Sequence, residues 1–226
     1  SKDGVIILMR SAWEVAIAEW LDNINIKWEY EKHVLKTSNG NILIDFYCPE
    51  YDVYVEVKGY FSDAGRRKYV ALINEHPEIT LLMVRDAGIF GRLYLSQRLL
   101  EIGYGHNVSK MSDDDKIEYV RDQMLMLYAE LSEVLQETPW KKHKQYENKK
   151  LNREKYLNEL MDCQIFVMNL FYALDVNERD IVDSARSTEE KNFLRQRNGY
   201  LGKVGDDLNN PNDVRNKYLT DDEFKL

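Results

Sequence analysis

The sequence predicts an α+β chain of two domains, a mixed α/β module followed by an all-α helical bundle. Three observations carry this expectation. Apolar residues alternate with period two, broken by turn residues, only as far as about Asp86. Beyond it, four long stretches hold the helical period instead. Each half also carries its own cluster of carboxylates: Glu14, Asp45 and Glu56-Val57-Lys58 in the first, Glu130-x-x-Glu133 and Glu159-x-x-Asp162 in the second. The expected boundaries are 1–88 for the first domain and 89–204 for the second, with a polar tail over 205–226.

Taken in order, Ser11 is placed to cap a helix over 11–23. Glu14 completes a capping box there, and Ala12, Ala16, Ile17, Trp20 and Leu21 form the apolar stripe. Residues 26–35 alternate as a strand, and Asn39-Gly40 marks a hairpin turn. Strands are expected over 42–47 and 53–57, around a turn at Pro49-Glu50-Tyr51-Asp52. In the second of these Val53, Val55 and Val57 share one face, and Tyr54, Glu56 and Lys58 the other. A helix over 63–75 ends before Pro77, and the apolar run 79–84 suits a buried central strand. Helices are expected over 89–101, 113–137, 152–174 and 178–197. In the second of them Ile117, Val120, Met124, Leu127, Leu131 and Val134 keep the period.

Composition narrows the partners. The 226 residues carry a net charge of −8, and residues 1–88 alone hold 10 Lys and Arg against 14 Asp and Glu. Tight sequence-independent DNA binding relies on Lys and Arg against phosphates, so an acidic chain is poorly suited to it. Carboxylates that bind a divalent cation account for part of the acidic excess. Cys48 and Cys163 lie far apart without metal-ligand spacing, as in a reducing compartment. The apolar run 5–9 is too short for a membrane span or a signal segment. A cytoplasmic protein without a membrane partner is expected. The first residue is Ser1, not Met, which leaves room for residues upstream. His33, His76, His106 and His143 form no cluster.

Phosphodiester hydrolysis needs a cation on the phosphate, an activated water and neutralisation of the growing charge. Asp45 on one strand and Glu56 on the next can converge on one Mg²⁺, or Mn²⁺, because paired strands lie about 4.8 Å apart. Lys58 shares the face of Glu56 and can reach the water or a phosphoryl oxygen, and Glu14 can add a carboxylate from the preceding helix. A solvated sheet face bearing Glu and Lys is the competing reading. From Arg10 to Val84 the chain resembles the phage endonuclease I group of PD-(D/E)xK nucleases. The resemblance rests on Arg10-Ser11…Glu14, Ile26-Lys27-Trp28-Glu29-Tyr30-Glu31, Asp45-Phe46, Val55-Glu56-Val57-Lys58-Gly59, Arg66-Arg67-Lys68 and Glu75-His76-Pro77-Glu78. It implies a nuclease-like core acting on DNA. Asp45, Glu56 and Lys58 would be its catalytic triad, Glu14 a further catalytic carboxylate, and Glu29 another matching acidic position. Ile44 stands where the family has Pro before the Asp, and the family's basic flanks are absent.

Residues three apart on a helix share a face, so Glu130/Glu133 and Glu159/Asp162 each present a carboxylate pair. Two such helices packed antiparallel gather four carboxylates around Mg²⁺; two solvated helix faces are the alternative. From about Phe90 to Val204 the chain resembles the all-α nucleoside triphosphate pyrophosphohydrolases, the group of dimeric dUTPases and MazG. The matching run is Leu125-x-x-x-x-Glu130-Leu131-x-Glu133-Val134-Leu135, Pro139-Trp140-Lys141, Asn152-Arg153-Glu154, Glu159-Leu160-x-Asp162, Phe166-x-x-Asn169-Leu170 and Lys191-Asn192-x-x-Arg195-Gln196-x-x-Gly199-Tyr200. It implies Glu130, Glu133, Glu159 and Asp162 as Mg²⁺ ligands, with Glu133 orienting the attacking water. Asn192, Arg195 and Lys191 would face the phosphates of a deoxynucleoside triphosphate. Trp140 can stack on a base or pack on the helix pair. Asn169 and Gln97 can read a base edge or simply lie at a helix surface.

The combined expectation is a bifunctional Mg²⁺-dependent enzyme. One half would cut DNA, and the other would convert dUTP or a related dNTP to dNMP and pyrophosphate. The alternative keeps only the second activity, with the first module docking DNA without cutting it. Both families pair subunits, so a homodimer or higher even oligomer is expected.

Overall fold

The computed structural model describes residues 6–141, 143 and 151–198, with side chains through 195. The tail expected over 205–226 lies outside the described residues, as do Gly199 and Tyr200 of the second matching run. Alpha and beta structure are mixed. A four-stranded sheet in the order β1-β4-β5-β6 is built from β1 (Glu29–Tyr30), β4 (Phe46–Cys48), β5 (Val53–Val57) and β6 (Thr80–Val84). The first three run antiparallel. β6 joins β5 in parallel, because α2 (Asp63–Glu75) crosses over between them. A separate hairpin of β2 (Val34–Thr37) and β3 (Gly40–Leu43) turns at Ser38-Asn39. Gly40 there takes φ +111°, a conformation that glycine adopts without a steric penalty.

Two expected strands are each split. The stretch 26–35 yields β1 and β2, because Glu31 has φ +49° and its N–H turns to the Asp45 carbonyl. The stretch 42–47 yields β3 and β4, divided at Ile44-Asp45. The break leaves Asp45 outside the regular ladder, where its side chain is released for other work.

The sheet buries both faces. Phe46, Cys48, Val53, Val55, Val57, Leu82 and Val84 pack against Ile17 and Leu21 of α1 (Ala12–Asn23) and Leu95 and Leu99 of α3 (Ile89–Gly103). Tyr54, Leu81 and Met83 face α2 and the hairpin, beside Ile42, Ile44, Tyr69 and Leu72. This is the period-two alternation expected of a pleated strand. Cys48 and Cys163 are both buried and unbridged.

α3 belongs to two cores. Its other side carries Tyr94, which packs with Tyr119 of α4 (Asp113–Gln136) and with Met168, Tyr172 and Ala173 of α5 (Arg153–Ala173). Gly91 lets its first turn approach closely, since a Cβ there would sit 1.8 Å from the Asp86 carbonyl oxygen. α4 and α5 run antiparallel: Gln123 bonds Asn169, while further along α4 Glu130 lies near Glu159, earlier in α5. The final helix, α6 (Glu178–Asn198), begins at a buried ion pair, Glu178 to Arg98 of α3 at 2.6 Å. Among the described residues no helix is long and apolar enough to cross a membrane.

Candidate active site

The N-terminal cluster assembles where β5 ends. Glu56 extends from β5 toward α2 and is only 1% exposed. The Tyr69 hydroxyl of α2 donates to Glu56 Oε1, and Lys58 Nζ lies 3.3 Å from the same oxygen. Glu56 Oε2 accepts from the backbone N–H of Asp45 at 3.3 Å. Asp45, 7% exposed, accepts in turn from the Val57 N–H at 2.8 Å through Oδ2. Two carboxylates are thus locked side by side by reciprocal bonds to each other's strands. Lys58 is the more exposed member of the set.

Glu14 lies in the first turn of α1 and acts on Asp45 through its charge. The Ser11 hydroxyl both accepts from the Glu14 N–H at 3.2 Å and donates to its carboxylate at 2.7 Å. The Tyr30 hydroxyl and the Arg10 N–H donate to Glu14 Oε2 at 2.5 and 3.0 Å. Burial alone would raise the pKa of Glu14, but those bonds outweigh it and hold the carboxyl below its ordinary value. Glu14 remains an anion whose field reaches Asp45. Glu29 is spent elsewhere, on Lys32 and His33.

Asp45 is displaced the opposite way. Burial, followed by the neighbouring Glu56 charge, pushes it up to about 7; the Val57 N–H and Lys58 pull back without cancelling this. Two anions held together out of water are a poor arrangement alone and a good one around a divalent cation. The all-oxygen donor set fits Mg²⁺ or Mn²⁺. A folded-state pKa above the unfolded value means that the folded chain keeps a proton the unfolded chain has released. Metal-free stability should therefore fall as pH rises between about 4 and about 7. Asp45→Asn should raise the melting temperature in EDTA by several degrees at pH 8 and progressively less toward pH 5. An equal rise at both ends would contradict this electrostatic picture.

The second cluster lies on the α4–α5 pair. Oxygens of Glu130, Glu133 and Glu159 come within 4.8 Å of one another, on residues that are half-buried or exposed. Asp162 is exposed on the same hairpin, and its charge reaches Glu130. Partial burial, then the charges of Glu133, Asp162 and Glu159, raise the Glu130 carboxyl above its usual range. Such crowding of hard oxygen donors also suits Mg²⁺.

The other expected residues are less concentrated. Asn169 is 2% exposed, and its amide is committed to Gln97, Glu101 and Gln123 at 2.8–3.1 Å. It binds helices together, where the sequence left it either reading a base edge or lying at a helix surface. Gln97 shares this network and is buried too, so neither amide is presented to a base edge. Lys191, Asn192 and Arg195 lie in the second half of α6, whose first turns pack through Glu178 and Ile181. Trp140 is 46% exposed, with Lys141 Nζ 4.7 Å above its ring. The sequence reading missed Tyr69 and Tyr30, which hold Glu56 and Glu14. Tyr69 directly follows the noted Arg66-Arg67-Lys68 run, but only the β5–α2–β6 crossover brings it to Glu56.

No family model matches the chain, and no solved structure matches it. Endonuclease I of Escherichia phage T7 is 32% identical over 79 residues, which cover 33% of this chain and 52% of that protein. The chain thus spans about half the length of this curated relative. A region of the chain is nuclease-like in sequence.

Proposed function

We propose that this chain is a Mg²⁺-dependent DNA endonuclease of the PD-(D/E)xK type. The reading rests on the buried Asp45–Glu56 pair with Lys58 at the end of β5. The partial likeness to a phage endonuclease adds support. Asp45 and Glu56 would hold the cation, which when bound polarises the scissile phosphate and lowers the pKa of water. Val57 N–H fixes the Asp45 carboxylate, and Tyr69 with Lys58 fixes Glu56, so little reorganisation accompanies ion binding. The Lys58 ammonium is placed to stabilise charge that grows on the phosphoryl oxygens as water attacks and the P–O bond to the leaving oxygen breaks. Glu14, kept ionised by Tyr30 and Ser11, holds negative charge at the edge of the site and favours cation capture. The test is nicking of branched, duplex and single-stranded DNA by the full chain, with Mg²⁺ or Mn²⁺ against EDTA.

The α4–α5 carboxylates support a second activity, conversion of a dNTP to dNMP and pyrophosphate, with Glu133 orienting water. Glu133→Gln should lower pyrophosphate release from a dNTP panel by about 10²-fold or more and leave DNA cleavage unchanged. Release equal to wild type would remove this activity. The helical half is also expected to pair with a second copy. Ile117, Leu131 and Leu135 of α4 and Leu157, Met161 and Ile165 of α5 are exposed, although the sequence places Ile117 and Leu131 on an apolar stripe. Light scattering should give at least twice the chain mass at micromolar concentration. Leu131→Glu should lower that mass, and a monomeric wild type would sink the proposal.

A further inference from the structure

Between α2, β6 and the start of α6 lies a cavity of about 470 Å³, within the range of small-ligand sites. It opens next to the candidate cleavage site. Tyr69, which holds Glu56, lines it, and so do Tyr60 and Phe61, which follow Lys58-Gly59. Asp45, Glu56 and Lys58 are not part of its wall. It is a separate space built from both halves of the chain.

Arg66, Arg85, Arg98 and Arg179 line the cavity, with Asp63, Asp175 and Asp180 as the carboxylates in the wall. Two of the guanidinium groups are incompletely satisfied: Nε of Arg85 and Nε of Arg98 are buried without an acceptor. Arg98 is 5% exposed, and its terminal nitrogens are already used by the Met83 carbonyl and Glu178. Arg85 lies over the Phe61 ring at 4.7 Å. Burial, followed by the charge of Arg179, pulls the Arg85 guanidinium below its ordinary pKa, and Arg66 adds to that repulsion. Buried donors without acceptors are rare in folded chains, and here two of them belong to arginines that line one space. Guanidinium groups recognise phosphate oxygens through several donors at once. Tyr60 lines the same cavity while remaining 80% exposed, which leaves an aromatic face available to a base.

We propose that this cavity binds a nucleotide, with its phosphate among Arg85, Arg98 and Arg179 and its base on Tyr60. The nucleotide is either free or part of the DNA strand running on from the scissile phosphate. The strand source rests on the cleavage reading above; the free source does not.

The experiment is calorimetric titration of the full chain in EDTA, which keeps both carboxylate clusters free of cation. The probes are deoxynucleoside monophosphates, inorganic phosphate and a four-residue oligothymidylate. Wild type should bind the nucleotide probes. Arg85→Met, which keeps contact with Phe61, and Tyr60→Ala, at an exposed position, should each weaken binding at least ten-fold. A tetranucleotide ten-fold tighter than the monophosphates assigns the site to the DNA strand, and equal affinities assign it to free nucleotide. No binding at millimolar probe overturns the proposal. So does binding that neither variant weakens, or inorganic phosphate binding as tightly as nucleotide. Retained binding alongside absent Mg²⁺-dependent cleavage would remove the nuclease reading and leave the cavity's ligand as free nucleotide.

Discussion

Lys58→Ala is expected to lower Mg²⁺-dependent DNA cleavage by about 10²–10³-fold, the usual loss when a positioned charge is removed from a transition state. The melting temperature should hardly move. The Lys58 side chain is 40% exposed, so its removal leaves no cavity, and its ion pair with Glu56 is half in water. Glu56 keeps its bonds to the Asp45 N–H and the Tyr69 hydroxyl. Loss of rate with an intact fold separates chemistry from stability. Parallel dNTP hydrolysis should be unaffected, because Lys58 lies in the sheet module and the α4–α5 carboxylates lie on the helical hairpin. Cleavage within a few-fold of wild type would show that Lys58 has no role in the transition state.

The largest stability effect should come from Arg98→Met, at about 3–5 kcal/mol. Glu178 is fully buried, with one oxygen on Arg98 and the other on the Arg85 N–H. Removing the guanidinium leaves an anion in the interior with the Arg85 N–H as its remaining donor and without its ion-pair partner, the Arg85 charge acting on it without a salt bridge. It also removes the two bonds to the Met83 carbonyl that tie α3 to β6. Chemical denaturation should show the loss. Adding Glu178→Gln should recover part of it, since the double variant no longer buries an unpaired charge. A cost below about 1 kcal/mol for Arg98→Met would mean that water or another donor takes over, contrary to the burial.

Helices were the most legible elements. The expected 63–75 coincides with α2, and 113–137, 152–174 and 178–197 each differ from α4, α5 and α6 by a residue at one or both ends. Periodicity is a local property, and Ser11, Ser62, Ser112 and Asn152 cap their helices with local bonds as well. Strand breaks were not legible. Glu31 and Asp45 interrupt runs whose alternation continues through them, and the break arises from pairing with distant partners. Asp45, Glu56 and Lys58 could be gathered on paper because antiparallel pairing of β4 with β5 sets Phe46 opposite Val55. Their supports could not, since Tyr69 arrives through a crossover and Tyr30 through a strand sixteen residues from Glu14. The same holds for Asn169. Its amide looks available in the sequence, and only the packing of α3, α4 and α5 shows it engaged with Gln97, Glu101 and Gln123.

The most direct measurement is single-turnover cleavage of a branched duplex and a supercoiled plasmid by the full chain. It should be run in Mg²⁺, in Mn²⁺ and in EDTA, with Glu56→Gln as the matched control. The arrangement of Asp45, Glu56 and Lys58 predicts metal-dependent nicking by wild type, none in EDTA, and at least a 10²-fold loss in Glu56→Gln, provided the variant still melts cooperatively. Wild-type chain that nicks neither substrate with either metal, or Glu56→Gln that nicks as fast as wild type, would contradict the account.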